Sequence, residues 1–157
     1  MPNLFDFYST SFSIQKKFIF KIYPGIYKTK ITMKCAPGLV NTRELPNTYK
    51  LLGTILPTVF KSKCFNDQNN PFSIEVRKTE MAHLFEHVML EYLCQFKLAQ
   101  GENKVSVSGV TVWDWRKDPV GTFHITLNVG RESINAFHPA FLKSAELLEM
   151  LIENKVQ

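Results

Sequence analysis

The chain has 157 residues, of which 45% are apolar, 13% aromatic and 21% charged; this fits one globular domain, residues 1–157, and excludes disorder, collagen and coiled coil. No apolar run approaches the ~18 residues needed to cross a bilayer, and Met1-Pro2-Asn3-Leu4-Phe5-Asp6 lacks the basic and apolar regions of a signal peptide, so a cytoplasmic protein without a membrane partner is expected. The net charge of +5 is uneven, with 12 Lys and Arg against 4 Asp and Glu in residues 1–78, and 7 against 10 in residues 79–157.

That basic half raises nucleic acid as a partner. Lys16, Lys17, Lys21, Lys28, Lys30 and Lys34 are instead dispersed through apparent strands, where they read as solvated charges that blunt strand edges. No RNP-like box, zinc finger or helix-turn-helix accompanies them, so no specific nucleic-acid partner is expected. Cys35, Cys64 and Cys94 are odd in number and widely spaced, indicating neither a disulfide framework nor a zinc ribbon.

In chain order, residues 17–23 and 27–33 are β-branched and aromatic and flank Pro24-Gly25, the pattern of a hairpin. Leu45, Tyr49, Leu52, Leu56 and Phe60 recur at helical spacing, with Pro57 expected to end or kink the helix. Asp67-Gln68-Asn69-Asn70-Pro71 reads as a loop and residues 72–77 as a strand. Thr79 reads as the N-cap of a helix over about 80–98, stopped near Gly101. Val105, Val107, Val110 and Val112 suggest a strand bulged at Gly109. Phe123, Ile125, Leu127 and Val129 alternate with polar residues in a further strand, and residues 134–153 form a closing amphipathic helix. The order ββαβαββα predicts an α+β domain, a mainly antiparallel sheet with helices packed on it.

His83-Leu84-Phe85-Glu86-His87 is an HxxEH sequence within the long central helix. Residues four apart emerge on one helical face about 6 Å apart, so His83 and His87 can share a metal. Glu86 sits beside the same site, placed to take a proton from a water activated by the metal, the arrangement of an inverted HExxH motif. Zinc suits two imidazoles with a carboxylate. Residue spacing leaves the third ligand open. Glu91, four residues after His87, is a candidate ligand or a carboxylate orienting His87, and Cys94 reads as a small buried hydrophobe. The competing reading is an ordinary pair of histidines on a half-buried helix. Helical geometry places Leu84, Val88 and Tyr92 in the core, with His83, His87 and Glu91 facing a cleft. Alternation in residues 121–129 puts His124, Thr126 and Asn128 on one polar face, a substrate-binding surface if that face borders the helix.

The segment Thr79-Glu80-Met81-Ala82-His83-Leu84-Phe85-Glu86-His87-Val88-Met89-Leu90-Glu91 resembles the GHxxEHVALEL segment of the N-terminal domain of cyanophycin synthetase. Leu51 to Pro57 and Cys64 resemble that domain's LLP and nearby Cys, and Gly109, Arg116 and Gly121-Thr122-Phe123 loosely follow its glycine, arginine and GxY run. The resemblance implies metal ligands at His83 and His87, a general base at Glu86, the helix carboxylate at Glu91 and a substrate or transition-state contact at Arg116. It also implies an Asp/Arg polymer-like peptide as substrate. Where the family's strand ends in a Phe-Glu-Tyr-like triplet, this chain has Leu127-Asn128-Val129. No glycine-rich phosphate loop is present, which excludes ATP-driven synthesis. Three readings remain: a zinc-dependent hydrolase of peptide or isopeptide bonds, a non-catalytic module binding such a peptide or a partner enzyme, and a plain globular domain.

Overall fold

The computed structural model describes residues 10–64 and 69–154. Its first strand, Thr10–Ile14 (β1), is absent from the sequence reading; it pairs antiparallel with Phe18–Pro24 (β2). The turn between them passes through Gln15 and Lys16, both left-handed at φ 52 and 59. Neither is one of the Gly, Asn or Asp residues that mark such turns in a sequence. β2 continues into Thr29–Cys35 (β3) as the expected hairpin, in register from Phe18↔Cys35 to Pro24↔Thr29.

The helix expected over residues 45–60 is shorter, Thr48–Ile55 (α1), and a separate 3-10 turn, Pro57–Lys61, follows it. Pro57 lacks the N–H that would continue the α ladder. Residues 72–77, expected as a strand, hold instead a one-turn helix, Phe72–Glu75 (α2). Phe72 and Val76 are fully buried, whereas Ile74 is 57% exposed; the buried spacing is four, not two. Of the expected 67–71 loop, Asp67 and Gln68 lie outside the described residues.

The long helix runs Met81–Ala99 (α3). Its N-cap is Glu80, not Thr79; the Thr79 hydroxyl is engaged with Glu80 and His83. Gly101, at φ 97, lies just past its end, where a left-handed residue favours glycine. The next strand is only Gly109–Val112 (β4), with unbroken register to Thr122–Leu127 (β5) and no bulge at Gly109. Val110 and Val112 are exposed, so the valines change face while the backbone keeps its alternation. The closing helix, Ile134–Glu153 (α4), matches its expected span. Pro139 lies within it and leaves the Asn135 carbonyl without its helical donor; Gln100 Nε2, at the end of α3, donates to that oxygen at 2.9 Å.

The five strands among the described residues form one antiparallel sheet in the order β1-β2-β3-β5-β4. Phe18, Phe20, Ile22, Ile31, Met33, Phe123, Ile125 and Leu127 bury one face, and the helices cover it. Phe20 meets Phe85 of α3 at 4.8 Å and Phe141 of α4 at 5.4 Å between ring centroids. Each such burial contributes about 1.5–3 kcal/mol. The other face leaves Lys21, Lys30, Lys34 and His124 in solvent. The result is the expected α+β class in two layers, with three strands among the described residues, rather than two, before the first helix. No helix among the described residues is long and apolar enough to cross a membrane.

Candidate metal centre

Two backbone devices carry the site. The start of α3 is tied down by Met81 N–H donating to the Val40 carbonyl at 2.8 Å and by the reciprocal pair Thr42 N–H to Thr79 O and Thr79 N–H to Thr42 Oγ1. The segment after the 3-10 turn is clasped by an isolated bridge between Lys63 and Pro71. Cys64, just beyond that bridge, is thereby laid over the first turns of α3.

His83 and His87 converge as helical spacing predicts, with their Nε2 atoms 3.1 Å apart. Cys64 Sγ lies 3.4 Å from His87 Nε2 and 3.8 Å from His83 Nε2. Zinc–nitrogen and zinc–sulfur bonds at the tetrahedral angle require N···N of ~3.3 Å and N···S of ~3.6 Å. The three atoms therefore span one face of a zinc tetrahedron, and they form a cluster able to hold a metal ion. Cys64 is only 4% exposed and His87 only 5%.

The outer nitrogens are held by hydroxyls. Ser62 Oγ donates to the Val59 carbonyl at 2.6 Å, so toward His87 Nδ1, 2.9 Å away, it accepts. Thr79 Oγ1 donates to Glu80 at 3.2 Å and likewise accepts from His83 Nδ1 at 2.8 Å. Both imidazoles then carry their proton on Nδ1 and point a lone pair at the cluster, as a metal ligand requires. Phe72 fixes the ring planes, stacked on His87 at 4.0 Å and edge-on to His83 at 5.8 Å.

Burial sets the protonation. It depresses His87 to about 3, helped by the neighbouring His83. His83 is lowered by burial as well, opposed by Glu80 and Glu75. Both are neutral at neutral pH. Burial, with Glu75 and Glu86 nearby, pushes the Cys64 thiol up to about 12, so the metal-free site holds a thiol. Glu86 is also buried, which raises its carboxyl, while the Thr111 hydroxyl, donating to Oε1 at 2.7 Å, works in the opposite direction.

The cluster opens into a cleft of about 650 Å³ between α3 and the segment 105–111. Glu86 and Glu91 both line it. Glu91 is outside the three-atom cluster, and the partner of His87 Nδ1 is Ser62 rather than Glu91. The other expected site residues are not brought to the cleft walls. Arg116 is an exposed side chain paired with Asp114 at 3.0 Å. His124 pairs with Asp118 at 2.8 Å on the open face of the sheet. Asn128 Oδ1 accepts from Ser108 N–H at 2.7 Å. Strand alternation sends residues 124 and 128 away from the helices, so the polar face does not border the site.

Residue spacing does not reveal Cys64, Ser62, Phe72 or Thr111. The only sequence signal for Cys64 is the family resemblance, because a turn and a loop, with no fixed spacing, bring it to the helix. In comparisons with known proteins, no family matches the chain, and no curated protein is significantly similar to it.

Proposed function

We propose that this protein is a metal-dependent hydrolase of peptide or isopeptide bonds, with zinc held by Cys64, His83 and His87 and with Glu86 as general base. The observation that carries the reading is the triangle of lone-pair atoms from Cys64, His83 and His87, set in an open cleft beside a buried carboxylate. Among the described residues the cluster offers three ligands; three protein ligands with a fourth position for water or substrate is the catalytic pattern, whereas structural zinc takes four. A bound zinc would supply a Lewis acid for the scissile carbonyl and bring a water's pKa toward ~7.

The chain's own groups do the rest. Glu86 takes the proton of the attacking water and passes it to the leaving nitrogen, a shuttle favoured by a carboxyl that burial raises above its ordinary range. Thr111 holds one oxygen of Glu86 and leaves the other for the proton. With Arg116 outside the cleft, its place as transition-state donor is left to main-chain N–H groups of the cleft wall. Among the described residues, Glu75, Glu80 and Glu91 line the cleft against the single cation Lys63. That balance favours substrates with cationic side chains, in keeping with the Asp/Arg polymer-like peptide that the resemblance to the cyanophycin synthetase N-terminal domain suggests.

The test is metal content and turnover together. Purified protein should carry about one zinc per chain and cleave Asp/Arg peptides, including side-chain-linked ones. Glu86→Gln should keep the metal and lose turnover, because an amide cannot accept the proton; His83→Ala should lose both. Stoichiometric metal with no hydrolysis, and peptide binding that survives Glu86→Gln, would instead assign a non-catalytic binding module.

A further inference from the structure

We propose that the free edge of β4 binds an extended peptide main chain as a sixth, hydrogen-bonded strand running past Glu86 and the Cys64/His83/His87 cluster. The inference deepens the peptide-hydrolase reading and rests on it for the identity of the ligand. Among the described residues β4 is the last strand of the sheet, paired on one side only, with β5. Asn128 N–H donates to the Ser108 carbonyl at 3.0 Å, and Ser108 N–H donates to Asn128 Oδ1. Ser108 therefore sits in the hydrogen-bonded phase of the ladder, and so do Val110 and Val112, opposite Thr126 and His124. Antiparallel pairing alternates. The N–H and C=O groups of Gly109 and Thr111 consequently point away from β5.

They point into the cleft. Every residue from 105 to 111 lines it without a gap, whereas a sheet face would present only alternate residues. The cleft thus runs along the edge of the strand. Gly109 brings that edge close to the reacting groups: a Cβ there would lie 3.2 Å from Glu86 Cγ. Two residues on, the Thr111 hydroxyl bonds the same carboxylate. A chain hydrogen-bonded to Gly109 and Thr111 has its own amides beside the general base and the cluster. The strand Gly109-Val110-Thr111-Val112 carries neither the lysine nor the proline with which edges are usually blunted. Strand addition reads the main chain, with alternate side chains left to pockets; on one side those pockets hold Glu75, Glu80 and Glu91, so a basic peptide is the appropriate probe.

The experiment uses the full chain stripped of metal, together with Glu86→Gln, and the peptide acetyl-Ala-Lys-Ala-Lys-Ala-Lys-Ala-amide. Amide hydrogen exchange is followed by NMR with and without the peptide. Binding is also compared for two versions of the peptide, N-methylated at either the odd or the even residues. Saturating peptide should slow exchange at Gly109 and Thr111 and leave Val110 and Val112 unchanged. One N-methylated version should lose about tenfold or more in affinity, the scale of lost strand hydrogen bonds, and the other little. No binding, binding without protection at Gly109 and Thr111, or equal losses for both versions would overturn the proposal. Protection that rises with protein concentration rather than with peptide would assign the edge to a second copy of the chain and overturn it too. Neither metal nor turnover enters the readout. A protein without zinc can still show strand addition, and hydrolysis without edge protection would overturn this inference while leaving the hydrolase reading standing.

Discussion

Ser62 and Thr79 each direct their one hydroxyl proton to another oxygen, and this turns both histidines toward the cluster as acceptors. Ser62→Ala should therefore lower zinc affinity about 10–100-fold, the usual cost of losing an outer-shell partner, with the fold intact; competition against a chelator measures it. Cys64 supports a sharper expectation. Its thiol sits up to about 12 while His87 is down at about 3, so zinc binding at about pH 6, below the range in which a zinc-bound water ionises, should release about one proton, from the thiol. Calorimetry in buffers of different ionisation enthalpy reads that proton directly. Release of none would remove Cys64 from the ligand set. At this scale the sequence displays the histidines and Glu86 plainly, because fixed helical spacing makes neighbours of residues three and four apart. It conceals Cys64 and Ser62, because no local period relates them to α3.

α2 and β4 show where pattern reading of elements succeeds and fails. Phe72, Ile74 and Val76 alternate as a strand would, yet Phe72 and Val76 alone are buried and Phe72 stacks on His87. Three residues cannot separate a spacing of two from one of four. Phe72→Ala should cost about 3–5 kcal/mol and also weaken zinc binding, because the ring that fixes His87 is lost; thermal melts with and without zinc separate the two effects. In β4, a Cβ on Gly109 would meet Leu127 Cδ2 at 2.8 Å and Glu86 Cγ at 3.2 Å. Gly109→Ala should cost about 1–3 kcal/mol from overpacking and displace Glu86, so turnover falls while zinc content holds. Long periodic elements such as α3, α4 and β5 were readable to within a residue or two, since their buried stripes are set by regular geometry. β1 was not, because its turn is made by Gln15 and Lys16 and carries no turn signature.

For the molecule as a whole, the buried titratable groups define a stability window for the metal-free protein. His87 is depressed from 6.5 to about 3. The unfolded chain therefore binds the extra proton first, and stability is lost as pH falls from about 6.5 toward 3. Cys64 is raised from 9.0 to about 12, so its contribution is present below 9 and lost as pH rises toward 12. Chelator-treated protein should have its highest melting temperature between these limits, and zinc should raise it further by binding only the folded state. Because the raised carboxyl of Glu86 acts in the opposite sense, the check is the difference between wild type and His87→Gln: an acid loss of the same size in both would contradict the burial assigned to His87. The two-layer class followed from the alternation of apolar strands and helices. What the sequence could not display is which sheet edge faces α3, a property of strand order that places the cleft along β4.

The most direct test of a Cys64/His83/His87 metal centre is the absorption spectrum of the cobalt-substituted protein, wild type against Cys64→Ser. The account predicts thiolate-to-cobalt charge transfer together with the intense visible bands of a four-coordinate ion, the charge transfer vanishing in Cys64→Ser. A pale six-coordinate spectrum without charge transfer, or a spectrum that Cys64→Ser leaves unchanged, would contradict it.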